Sequence, residues 1–102
     1  MKSVKQDVKL EGYSATLSAV VGKKPKEPKG YRYLNIYISD CLDTKPILTD
    51  TYILTDTADG NHVLMDAKGG HHPLALCPTY EDCQKAALDH YVKSTTKNIT
   101  VI

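Results

Sequence analysis

The residues best equipped for chemistry gather in GGHHPLALCPTYEDC, residues 69–83, which holds His71, His72, Cys77 and Cys83. Imidazole and thiolate bind zinc, but zinc sites in small domains pair ligands two to four residues apart, so that one tight knuckle aims both at the ion. Cys77 and Cys83 are six apart. The better reading puts the histidines in a loop after Gly69-Gly70 and makes the cysteines small core hydrophobes. A cysteine nucleophile needs a histidine in hydrogen-bond reach and a third group to orient it. No signature around Cys41, Cys77 or Cys83 supplies that arrangement. Cys77 precedes a helix start, where thiol acidity can rise, yet Pro78 and the loop around it suggest no pocket.

Carboxylates fare no better as an acid-base pair. Asp50 and Asp56 share a strand face at i and i+6, which separates them by roughly 20 Å at ~3.3 Å per residue, too far for a catalytic couple. DTADGN at 56–61 invites a calcium-loop reading, but setting Gly60 at the obligatory sixth place puts Thr55 first, Thr57 third and Asp66 twelfth, a poor ligand set. It reads as a turn. The chain has no GxGxxG, GxxxxGK[ST] or HExxH, so nucleotide and zincin chemistry lack a motif. The expectation is a protein that is not an enzyme and needs no metal or cofactor.

What remains is KKPKEPKGYRYLNIYIS, residues 23–39. Sheets that stack bases use exposed aromatics on a strand with basic loops nearby. Tyr31, Tyr33 and Tyr37, with Arg32, Lys23, Lys24, Lys26 and Lys29, have that chemistry. Tyrosine and arginine are also the residues that concentrate binding energy at protein interfaces, where lysine is depleted. The same residues are therefore a candidate contact face for a protein, with the lysine-proline loop at its rim.

Charge helps to choose between the two partners. The net charge is only +1. Residues 23–32 carry five basic groups against Glu27, a local +4, whereas residues 40–66 carry six aspartates against Lys45, a local −5. Such a distribution steers partners without identifying them. Aspartates on the tyrosine face would repel a phosphate backbone, which favours a protein partner.

These residues must be positioned by a chain of 102 residues, 41% hydrophobic and 25% charged, the material of one soluble domain spanning 1–102. All seven aromatics are tyrosine, so each one that is buried needs a partner for its hydroxyl. No apolar run approaches the ~20 residues of a membrane span. The N-terminus lacks the apolar stretch of a signal peptide, and three cysteines are too few and odd in number for a disulfide scaffold, which predicts a cytoplasmic protein. The sequon at Asn98 is then accidental.

YSATLSAVV, residues 13–21, alternates with Tyr13, Ala15, Leu17, Ala19 and Val21 on one side, and reads as a half-buried strand. The segment 22–30 cannot continue a ladder, because Pro25 and Pro28 lack donors and restrain the residues before them. It is predicted to be a flexible basic hairpin loop. Residues 31–39 alternate again, with Leu34, Ile36 and Ile38 inward and the tyrosines outward. ILTDTYILTDT, residues 47–57, repeats a five-residue phrase at a spacing of six, so both copies present the same faces of a strand. Which face is buried stays open. Asp59-Gly60 signals a hairpin turn, and 62–67 forms the return strand. Thr79 is a natural N-cap, with Glu81 and Asp82 in the first helical turn. Tyr80, Cys83, Ala87, Leu88 and Tyr91, with Ala86 or Val92, make an apolar stripe at helical spacing that ends near residue 94. ITVI is either a short last strand or a frayed end.

The predicted fold is α+β: a four-stranded antiparallel sheet of two hairpins, followed by one C-terminal helix packed on one face. One helix covers one face, which leaves the other for water or a partner.

HVLMDAKGGHH followed by PTYEDCQKAALDHY resembles the ending of small phage-encoded α+β proteins, among them inhibitors of CRISPR systems (anti-CRISPR proteins). There, a strand and glycine turn precede a Pro-Thr-x-Glu helix rich in alanine. The resemblance implies a small, non-catalytic viral or mobile-element protein that occupies a surface of a host protein or nucleoprotein complex, and it transfers no functional residue. The expected function is that of a binding or inhibitor protein. The alternative is a single-stranded nucleic-acid binder using the same tyrosines as stacking platforms. An open sheet face, or an edge strand such as 13–21, could also pair two copies as a homodimer.

Overall fold

The structure is a computed structural model that describes residues 3–10, 13–22, 32–40, 45–67, 72–94 and 99–101. Six strands precede the helix: β1 (Val4–Leu10), β2 (Tyr13–Val21), β3 (Arg32–Asp40), β4 (Ile47–Asp56), β5 (His62–Asp66) and β6 (Pro73–Cys77). The helix α1 (Tyr80–Ser94) and a two-residue strand β7 (Thr100–Val101) complete the order. All pairings are antiparallel, in the order β6-β5-β4-β3-β2-β1-β7. No helix among the described residues is long and apolar enough to cross a membrane.

The α+β class, the antiparallel sheet and the single helix on one face agree with the sequence. The predicted count of four strands is corrected: two further full strands, β1 and β6, flank the two hairpins, and β7 adds a short edge. β1 hides its alternation because its inward positions include a glutamine: Val4, Gln6, Val8 and Leu10 face the core while Lys5, Asp7 and Lys9 are exposed. β6 opens on Pro73, which is tolerated there because it is the first residue of an edge strand and owes the ladder no donor.

Alternation builds the core. Val8, Ala15, Leu17, Ala19, Val21, Leu34, Ile36, Tyr52, Leu54 and Leu64 form one continuous cluster on the inner side of the curled sheet. Cys83, Ala87, Leu88 and Tyr91 close it from the helix. Tyr52 settles which face of β4 is buried: it is 1% exposed, and its phenol lies 2.9 Å from Nδ1 of His90. Burial first, and then the carboxylates of Asp50 and Asp66, hold that phenol protonated. The helix starts as its sequence predicts, with Asp82 N donating to Thr79 Oγ1 at 3.1 Å. Its buried Gln84 donates to the Ala19 carbonyl at 2.7 Å, tying the helix to the centre of the sheet.

Candidate functional site

The helix packs on the inner face of the sheet, and among the described residues no element covers the outer one; the register shows what that face presents. Three rows at the β1–β3 end are polar or mixed: Lys9 beside Ser14, Asp7 beside Thr16 and Ser39, and Lys5 beside Ser18 and Tyr37. A bulge between Ile36 and Tyr37 shifts the pairing of β4, so that Leu48 falls opposite Tyr37 instead of continuing the inner face of Tyr52 and Leu54. The middle row is Val20, Asn35 and Thr51, where Thr51 Oγ1 donates to Asn35 Oδ1 at 3.0 Å. Beyond it come Tyr33, Ile53 and Met65, and then Thr55, Val63 and Leu76. The face thus grades from charged at β1 to apolar at β4–β6.

On this apolar part Tyr33 is 54% exposed and Leu76 65%, while Ile53 between them is only 4% exposed; Leu48, in the Tyr37 row, is 52% exposed. Ile53 is buried yet belongs to no part of the helix-side core. It is a small second apolar centre on a face open to its surroundings.

The predicted contact residues separate on this framework. Tyr33 and Tyr37 lie together on the outer face, one exposed and one half-buried. Tyr31, Lys23, Lys24, Lys26 and Lys29 lie outside the described residues, as does most of the predicted loop 22–30. Gly22 and Arg32, to which that segment is joined, flank Tyr33, since Gly22 N donates to Tyr33 O at 2.7 Å. Arg32 turns to the helix side, opposite Leu54, and its guanidinium stands 4.9 Å from the Tyr80 ring centre. Asp50, Asp56 and Asp66 do not oppose Tyr33 or Tyr37: they pair with Ile36, His62 and Tyr52, and so belong to the helix side.

Sequence reasoning missed a second assembly. Around the helix start, His62 Nδ1 lies 2.8 Å from Asp56 Oδ1, and Tyr80 OH donates to the same oxygen at 3.2 Å. The His62 and Tyr80 rings stack with centres 4.0 Å apart. The signal was present in the Asp59-Gly60 turn, because a hairpin closed there sets Asp56 directly opposite His62. The hydrogen bond from His62 first, and then those of Tyr80 and the charges of His62 and Arg32, hold the Asp56 carboxyl below its usual range. Burial raises the Tyr80 phenol, with the Asp56 carboxylate adding to it and Arg32 pulling the other way.

An oriented histidine beside a carboxylate suits general-base work, but it needs a nucleophile. The neighbouring thiol is Cys83, whose Sγ lies 3.9 Å from the His62 carbonyl and not at its imidazole. Burial, and then the Cys77 thiol beside it, push Cys83 up to about 12, which keeps it protonated and unreactive near neutral pH. The cluster is therefore best understood as a clasp that joins β3, β4, β5 and the helix start. Among the described residues, no three of His, Cys, Asp and Glu converge as metal ligands.

No protein-family model, curated protein or solved structure matches this chain.

Proposed function

We propose that this is a non-enzymatic binding protein whose outer sheet face occupies a surface of a larger protein or nucleoprotein complex. The observation that carries the reading is the pair of exposed residues Tyr33 and Leu76 near the buried Ile53, with exposed Leu48 further along the same outer face beyond the Asn35–Thr51 row. Large apolar groups gathered on one exposed face mark interaction sites, and tyrosine supplies contact area at small entropic cost. An inhibitor of a host defence complex, as the phage-protein resemblance implies, is one protein of this kind.

A photo-crosslinking residue placed at Tyr33 or at Leu76 should capture the same protein from nuclease-treated host lysate, and one placed at Lys93 on the water side of the helix should not. Equal capture from all three positions, or none from the first two, would overturn the reading. The double variant Tyr33→Ala, Tyr37→Ala should lose the captured partner while keeping the wild-type circular dichroism spectrum.

A second reading, single-stranded nucleic-acid binding through stacking on Tyr33 and Tyr37, gains from one observation. Asp50, Asp56 and Asp66 do not share the tyrosine face, so the repulsion expected from them is weaker there. A labelled single strand should then bind at low salt and weaken steeply as salt rises, and no binding at low salt removes this reading.

A further inference from the structure

Cys77 and Cys83 converge inside the fold from two layers. Cys77 ends β6 opposite His62 in the ladder, on the side of the sheet that carries the buried Leu64. Cys83 lies in the first turn of α1, on the stripe that faces the sheet, with its Sγ 3.9 Å from the His62 carbonyl. Both side chains thus reach the same residue, and the two thiols hydrogen-bond to one another. Both are free and buried, Cys77 at 5% exposure and Cys83 at 0%.

The backbone on either side of this contact is already set. Asp82 N donates to Thr79 Oγ1 at 3.1 Å and Cys83 N donates to Thr79 O at 3.3 Å, which fixes the turn that leads into the helix. Cys77 is held by its pairing with His62. Two sulfurs in contact can serve a soft metal or a disulfide. Among the described residues no group of three His, Cys, Asp or Glu converges on an ion, so a zinc-like site is not completed. A disulfide needs the sulfurs about 2.05 Å apart, and a pair already in contact has only a short distance to close.

We propose that Cys77 and Cys83 form a peroxide-sensitive dithiol that closes into a disulfide and so fastens the edge strand β6 to the first turn of α1. Cys77 meets the oxidant, because it ends the outermost strand and keeps some exposure where Cys83 has none. Its thiolate attacks one oxygen of hydrogen peroxide. The S–O bond forms as the O–O bond breaks, and the hydroxide released takes up the proton that Cys77 gave up and leaves as water. Cys83 then attacks the sulfur of the sulfenic acid so formed. The S–S bond forms, the S–O bond breaks, and the departing hydroxide carries off the Cys83 proton as a second water. Two thiols lose two electrons and one peroxide becomes two waters. Burial keeps Cys83 protonated and a poor nucleophile toward reagents in solution. Contact with Cys77 makes its attack a step within one molecule, which offsets that handicap.

The test uses the full chain, reduced, freed of reductant and treated with hydrogen peroxide at neutral pH. After the peroxide is removed, the chain is alkylated with N-ethylmaleimide in urea and cleaved after Glu81, which lies between the two cysteines. The peptides carrying Cys77 and Cys83 should stay joined until dithiothreitol is added, with Cys41 alkylated, and the oxidised chain should keep the far-UV circular dichroism of the reduced one. Cys83→Ser should strand Cys77 as a sulfenic acid, giving at least about tenfold more dimedone adduct than wild type. Cys77→Ser should leave Cys83 a free thiol after the same treatment. Overturning results are Cys77 and Cys83 both alkylated after peroxide, a linkage to Cys41 or between two chains in place of this one, or a disulfide that forms only with loss of the native spectrum. The wild-type chain alone decides between these outcomes, even where a serine variant fails to fold.

Discussion

The two faces of the sheet are made of similar residues put to different use. The inner face has Leu17, Leu34, Ile36, Leu54 and Leu64 at or near zero exposure beneath the helix. The outer face also carries large apolar groups, but Tyr33, Leu48 and Leu76 remain more than half exposed. Hydrophobicity alone therefore does not say which side of a strand is the core. Helix coverage does: the stripe of Cys83, Ala87, Leu88 and Tyr91 has room for one face only. Among the described residues the outer face keeps one buried side chain, Ile53, and the rest are exposed or half-buried.

The sharpest break of this comparison deletes the same atoms on each side. Leu34→Ala, at 0% exposure in the inner cluster, should cost ~2–5 kcal/mol from lost transfer energy and the cavity left behind. Leu76→Ala, at 65% exposure, should stay within about 0.5 kcal/mol. Urea unfolding measures both. A cost at Leu76 equal to that at Leu34 would mean the outer face is covered.

Ile53 refines the contrast. It sits opposite Tyr33 and Met65 in the register, with no helix above it. Ile53→Ala should cost about 2 kcal/mol, at the low end of core truncations, because flexible neighbours at a surface can collapse over the gap. It should also weaken partner binding more than its own exposure suggests, by removing the floor under Tyr33. A stability loss with unchanged binding would assign Ile53 to the fold alone.

Much of this architecture was legible in the chain. β2 and β3 alternate so cleanly that Ala15, Leu17, Ala19, Val21, Leu34 and Ile36 are found in the core with Ile38 partly buried beside them, and Thr79, Glu81 and Asp82 mark the helix start without ambiguity. The misses have physical causes. β1 places Gln6 at an inward position and the charged Lys5, Asp7 and Lys9 on the outward ones, so its period-two signal lies under charge. β6 is five residues long, begins with proline and exposes Leu76, so its apolar run looked like a loop. Of the candidate site, Tyr33 and Tyr37 were legible as an outward pair from parity alone. Arg32 obeys the same parity in the opposite sense and lies on the helix side, where it faces Tyr80. Leu48 could not be placed from parity, because only the bulge against Ile36 and Tyr37 sends it outward. Leu76 and Met65 join the face through strand pairings, which a single chain does not reveal.

The smallest effect tests the polar end of the inner face. Asp56 is 62% exposed at its side chain while His62 is 15% exposed, so the pair is screened and contributes less than about 1 kcal/mol. Its pH signature is still definite in sign. Folding lowers the Asp56 carboxyl below its ordinary value, chiefly through the hydrogen bond from His62. The folded state therefore favours the ionised form, and its stabilisation is complete above the ordinary value of about 3.9 and is lost as pH falls through the lowered one. Asp56→Asn should accordingly lower the midpoint of thermal unfolding at pH 5 and bring it close to wild type at pH 2. A gap that stays constant from pH 5 to pH 2 would show that the carboxylate charge at the β4–β5 end does nothing to hold the helix start. The clasp would then rest on the stacked rings of His62 and Tyr80 instead.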